Sequence, residues 1–167
     1  MFDRFGEFDS WEEINRAADA QKAEGDLEAL KVLAEENGFD PLDAEDFFHG
    51  CIDHFCGPLD AALGKIKVEA EEMQLKREFV LLKEELEAAC VADSRIAIGV
   101  RKKEKNLATY LAKMIDKGYD QAITPPKAIL DKVTAVPAQY RHQMKTGMPD
   151  KSERKEIMQA YYGEVEE

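Results

Sequence analysis

The chain has 167 residues, enough for about one domain, and its 44% hydrophobic and 35% charged side chains exclude wholesale disorder. With 23 basic and 35 acidic residues the net charge is −12, which excludes a protein that coats nucleic acid through a generally basic surface. Ten glycines, six prolines, three cysteines and no apolar run near the roughly 20 residues of a bilayer span exclude collagen, a disulfide scaffold and an integral membrane protein.

The first helix is predicted from Ser10, where Ser10-Trp11-Glu12-Glu13 has the form of a capping box. Trp11, Ile14, Ala17 and Ala18 then recur at helical spacing. Gly25-Asp26 ends that helix and caps a second, which carries Leu27, Leu30, Val32 and Leu33 and stops at Asn37-Gly38. Asp40-Pro41 starts a third, with Leu42, Ala44, Phe47 and Phe48 on its apolar side. Residues 1–57 therefore read as an acidic three-helix subdomain.

Residues 58–92 read as one long central helix whose weakest point is Gly64. Leu75, Phe79, Leu82, Leu86 and Ala89 form a seam lasting two heptads, which predicts packing on another helix, inside the chain or in a homodimer. Residues 93–167 read as a mildly basic helical bundle. Ile96, Ile98 and Val100 alternate as a short strand does, a helix is predicted from Asn106 to Lys117-Gly118, and another follows Thr124-Pro125-Pro126. The last runs from Lys151 to Tyr162. The fold class expected is all-α: an N-terminal helical subdomain, a long connecting helix and a C-terminal bundle.

Charge is divided along this chain. Residues 1–60 hold 17 acids against Arg4, Arg16, Lys22 and Lys31, whereas residues 91–167 hold 14 cations against 11 acids, three of them in Glu164-Val165-Glu166-Glu167. The first residues, Met1-Phe2-Asp3-Arg4-Phe5-Gly6-Glu7, place acid where a secretory leader needs a basic start. With Cys51, Cys56 and Cys90 odd in number, a reducing cytoplasm is expected.

The densest chemical pattern is His49-x-Cys51-x2-His54-x-Cys56, two imidazoles and two thiols that together make a tetrahedral zinc set. On a helix these four side chains diverge, so they converge only in a loop opened at Gly50 and Gly57. The expectation is therefore no cofactor, with free cysteines acting as small hydrophobes and zinc kept as the alternative. No nucleophile elbow, phosphate loop, dinucleotide fingerprint or H-E-x-x-H stands in the chain, and no enzyme is expected. The one basic cluster is Arg101, Lys102, Lys103 and Lys105, a candidate contact for DNA or for an acidic protein.

Met1 to Ser10, followed by Glu12-Glu13-Ile14-Asn15 and Ala34-Glu35-Glu36-Asn37-Gly38, resembles small proteins carried on phages and conjugative elements. Arg101-Lys102-Lys103-Glu104-Lys105-Asn106-Leu107 and Glu156-Ile157-Met158-Gln159-Ala160-Tyr161-Tyr162 are similar to the PcfK-like group, some of whose members are described as anti-CRISPR inhibitors of Cas9. That resemblance implies a non-catalytic acidic protein, a nucleic-acid mimic that occupies the basic channel of a Cas9-type nuclease. The face expected to make contact combines Glu12, Glu13, Asp19, Glu24, Asp26, Glu28, Glu35, Glu36, Asp43, Glu45 and Asp46. The alternative is a mobile-element adaptor that meets DNA or a relaxase through Arg101 to Lys105. Neither reading involves a membrane, and the first makes direct nucleic-acid binding unneeded.

Overall fold

The structure, a computed structural model, describes residues 8–163. Met1 to Glu7 and Glu164 to Glu167, with the leader reading, part of the resemblance and the terminal acids, lie outside the described residues.

Local signals set the helix starts. Ser10 Oγ accepts the Glu13 amide at 3.3 Å, and α1 runs from Trp11 to Glu24. The Glu13 carboxylate reaches back to the Asp9 amide at 2.7 Å, one residue earlier than the capping-box spacing predicts. Gly25 closes α1 at φ 74° and Asp26 caps α2, Leu27–Glu36. Asp40 caps α3, Pro41–Phe48, with Pro41 in the first turn. Ile14, Ala18, Leu30, Leu33, Ala44 and Phe47 of these helices bury one core. Phe55, from the loop after α3, completes it, 5.5 Å from the Phe47 ring and 5.6 Å from that of Phe39.

The single long helix expected over 58–92 is instead two, α4 (Pro58–Met73) and α5 (Glu78–Ala92). The break is not at Gly64. It falls over the four residues from Gln74 to Arg77, whose two end residues carry side chains at φ of 51° and 55°. An unbroken helix of that span would be about 50 Å long and leave its seam unpaired. Turning the chain lays Leu82, Leu86 and Cys90 of α5 in one core with Ala62 and Ile66 of α4, while Leu75, Phe79 and Ala89 pack at its edge. The two-heptad seam is spent inside the chain.

Ile96 and Val100 belong to a helix, α6 (Ser94–Arg101), rather than to a strand. The reason is local: Asp93 Oδ1 accepts the Arg95 amide at 2.9 Å, and Ile96, Ala97, Val100 and Arg101 then share one buried face. Asn106 caps α7, Leu107–Asp120, which runs two residues past Gly118. After the Pro125-Pro126 break comes α8, only Lys127–Leu130, and a 3-10 turn at Ala138–Gln143. The last helix, α9, is Lys151–Tyr162 as predicted, with Asp150 and Glu153 in a complete capping box. Among the described residues there is no β-strand, only an isolated antiparallel bridge between Ile123 and Thr146. The fold is all-α.

Helix α4 stands between two cores. Ala61 faces the N-terminal core, while its neighbour Ala62 and Ile66 face the core built with α5, α6, α7 and α9. Two close backbone approaches fix these layers. The turn at Asn37-Gly38 rests on Gly64 of α4, and the last turn of α9 at Tyr162 rests on Gly99 of α6.

Candidate interaction surface

The acids of the N-terminal helices divide into those that hold the fold and those that do not. Glu13 and Asp26 cap helices, and Glu45 binds Lys31 at 2.7 Å, which holds its carboxyl below the usual carboxylate range. Glu28 lies 3.9 Å from the same lysine. Lys22 is used internally, with its ammonium 2.6 Å from the Phe47 carbonyl and over the Phe47 ring. Arg16 lies 3.8 Å from Glu13. Among the described residues no cation stands within ion-pair distance of Glu12, Asp19, Glu24, Glu35, Glu36, Asp43 or Asp46, and all seven are exposed. Glu12 and Asp19 share one outward stripe of α1, and Glu28 and Glu35 share one of α2. The expected acidic residues are thus brought out on the surfaces of three neighbouring helices, with Glu13, Asp26 and Glu45 partly withdrawn into structural work.

The basic cluster does not form a surface of the kind expected. Arg101 is 1% exposed, with Nη2 3.2 Å from Asn37 Oδ1, so it leaves the set of DNA contacts: its place on the α6 face turns it inward. Lys102 is half-buried and paired with Asp9 at 3.2 Å, and the Lys103 amide donates to the same carboxylate at 3.0 Å. Only the Lys103 side chain of the four is exposed. Beneath them Lys65, 3% exposed, donates to the carbonyls of Lys102 and Lys105 and lies 3.8 Å from Glu69. Burial lowers the Lys65 ammonium to about 8 and raises the Glu69 carboxyl. The Glu69 carboxylate in turn accepts the Leu107 amide at 2.6 Å. These carboxylate, ammonium and guanidinium groups join α4 to the α6–α7 loop and to the end of α2. Sequence periodicity overlooked them, although a lone lysine in Ala61-Ala62-Leu63-Gly64-Lys65-Ile66 with an acid four residues later is a readable sign.

The His49–Cys56 segment opens into a loop after α3, with Gly50 at φ 76°. Its donors go separate ways. His49 caps α3 and sets its ring edge-on to Phe48, Cys51 and His54 are exposed, and Cys56 is buried with its thiol pushed up to about 12. Among the described residues no three His, Cys, Asp or Glu side chains converge as a cation site. What anchors the loop is Asn15. Its Nδ2 donates to the carbonyls of Cys56 at 2.8 Å and Trp11 at 3.1 Å, and its Oδ1 accepts the amides of Phe55 at 2.8 Å and Cys56 at 3.2 Å. Asn15→Ala strands these peptide groups. Its expected cost is about 2–3 kcal/mol, read as a lower urea midpoint in Trp11 fluorescence, with Asn15→Asp no better because it lacks the two donors.

This loop, the α2–α3 turn and helices α4 and α5 border an open groove of about 1140 Å³. Trp11, Phe39, Leu63 and Val91 supply its apolar lining, and Asp40, Asp43, Asp53 and Asp60 its rim. Among the described residues no helix is long and apolar enough to cross a membrane. Compared with protein-family models, with curated proteins and with solved structures, the chain finds no match in any of the three.

Proposed function

We propose that this is a non-catalytic binding protein that inhibits a nucleic-acid enzyme by covering its basic nucleic-acid surface, with a Cas9-type nuclease the first target to test and the bacterial cytoplasm the place of action. The observation that supports this reading is the set of seven exposed carboxylates on α1, α2 and α3 with no cation of the described residues beside them. Unpaired like charges on adjoining helices repel one another and weaken the fold, a cost that a cationic partner would offset. Carboxylates presented in this way meet arginines and lysines that otherwise hold phosphates, and their field speeds encounter. The adaptor reading has less behind it, because Arg101 is in the core and Asp9 engages Lys102 and the Lys103 backbone.

The test is cleavage of plasmid DNA by a purified Cas9-type nuclease with the protein added, at rising salt. The informative variant joins Glu12→Lys, Asp19→Lys, Glu35→Lys and Glu36→Lys, and leaves Glu13 alone because its carboxylate caps α1. At about 0.5 kcal/mol per reversed rim charge, or more where a like charge is created, inhibition weakens at least about 30-fold. Full inhibition by this variant, folded by circular dichroism, is the result that would remove the proposal.

A further inference from the structure

The groove between the N-terminal helices and α4–α5 combines three things that the outer acidic faces lack together: concavity, a lining of half-buried aromatic and aliphatic side chains, and several carboxylates in the same lining. Val91 on its α5 wall is 67% exposed, a large aliphatic side chain left uncovered in a lining that also includes Leu63 of α4. The Trp11 and Phe39 rings are both half-buried and both in the lining. Asp43 and Asp53 are exposed and belong to no helix cap, whereas Asp40 and Asp60 cap α3 and α4 through single oxygens. The cations of the lining are few. Lys83 is held by Glu87 at 2.7 Å, and Lys67 lies 3.4 Å from the Gly38 carbonyl.

We propose that this groove seats an arginine-bearing helical segment of a partner protein, its guanidinium groups lying between Trp11 or Phe39 and the Asp43 and Asp53 carboxylates, its apolar side chains between Leu63 and Val91. The inference deepens the reading above and rests on it for the identity of the partner, but not for the chemistry of the groove. Arginine fits better than lysine because a planar guanidinium stacks on an aromatic face while its edge donates two hydrogen bonds to one carboxylate. An ammonium does neither at once. A helical segment fits better than nucleic acid because a carboxylate rim repels phosphate. The apolar pair on the α4–α5 side rewards a segment with a second, aliphatic face.

The groove carries its own reporter, since Trp11 is the single tryptophan of the chain. The full chain is titrated with an amidated helix-forming peptide that bears arginines on one face and leucines on the other, and Trp11 emission is followed. The expected result is a saturable shift, with the lysine version of the peptide binding about tenfold more weakly. The double variant Asp43→Lys, Asp53→Lys and the single variant Val91→Arg each weaken the arginine peptide about tenfold or more while keeping the helical circular dichroism of the parent. No shift with the peptide, or binding by either variant as tight as by the parent, overturns the proposal. A Trp11 shift on raising the protein concentration alone gives the groove to a second copy of the chain and overturns it too. The two readings fail separately. If the peptide gives no shift, or the groove variants bind it as the parent does, while the outer-face variant loses inhibition, the groove is wrong and the nuclease reading stands. If the peptide binds as described and no variant alters nuclease cleavage, the nuclease reading is wrong and the groove stands.

Discussion

Gly99→Ala should cost this protein about 3 kcal/mol or more, although alanine is the better helix former by about 1 kcal/mol. Gly99 lies inside α6, and a Cβ there would fall within bonding range of the Tyr162 carbonyl, 2.7 Å from its carbon and 3.1 Å from the Tyr162 Cα. All of these are backbone atoms, so no side chain can turn aside. The last turn of α9 must move off α6, and the Tyr162 ring, 1% exposed and 5.4 Å from that of Tyr110, must leave the core with it. Gly64→Ala meets the same obstacle on α4, where the Asn37 carbonyl occupies the space and Phe39 Cε1 is 2.9 Å away. The size of the effect is set by contrast with Gly25→Ala. Gly25 has φ 74° and nothing within 4 Å, so alanine there meets only backbone strain of about 1 kcal/mol. For a chain of this length each kcal/mol lowers the melting temperature by about 2–4 °C. Melting curves should therefore put Gly99→Ala and Gly64→Ala near 10 °C below the parent, well under Gly25→Ala. Three equal melting temperatures would mean that neither backbone approach holds the layers together.

These two glycines mark where the sequence is legible and where it is not. Helix starts follow from one side chain and an amide two or three residues on, so Ser10, Asp26, Asp40, Asn106 and Asp150 each announce a helix without help from the rest of the chain. The turn at Gln74 to Arg77 has no such mark: Gln, Leu, Lys and Arg all favour helix, and only the gain from folding α5 back onto α4 makes the break worthwhile. Ile96, Ile98 and Val100 misled for the opposite reason, since two of the three are also four residues apart and the Asp93 cap decides the period. The candidate surface is legible as composition, because 17 acids in 60 residues cannot all be buried or paired. Which of them are free is a tertiary matter, decided by where Lys22 and Lys31 end up. The groove is less legible still. Its walls come from residues as distant as Trp11 and Val91, and nothing in the spacing of either points to the other.

Lys65 carries the second large effect, and it has a pH dependence of definite sign. Its ammonium holds the carbonyls of Lys102 and Lys105 at 2.6 and 2.5 Å, so Lys65→Ala leaves both without their donor, opens a cavity and isolates Glu69. The expected loss at neutral pH is about 3 kcal/mol, with Lys65→Met milder because its chain fills the space and removes a buried charge. In the folded protein the Lys65 ammonium gives up its proton near pH 8, against 10.5 for a free lysine. Below pH 8 both states are protonated and the cost of burying the charge is felt in full. Between about pH 8 and 10.5 the unfolded chain still binds that proton and the folded one does not, so stability rises with pH across this window. Cys56 and Cys90 act in the other direction. Their thiols are pushed up to about 12 by burial, so from about pH 9, where the unfolded chain ionises, the folded state loses ground. Urea midpoints should accordingly climb from pH 8 to 9 and turn over above it. In Lys65→Met the climb disappears while the fall above pH 9 remains, and a midpoint that still climbs in that variant would show that the rise comes from another group.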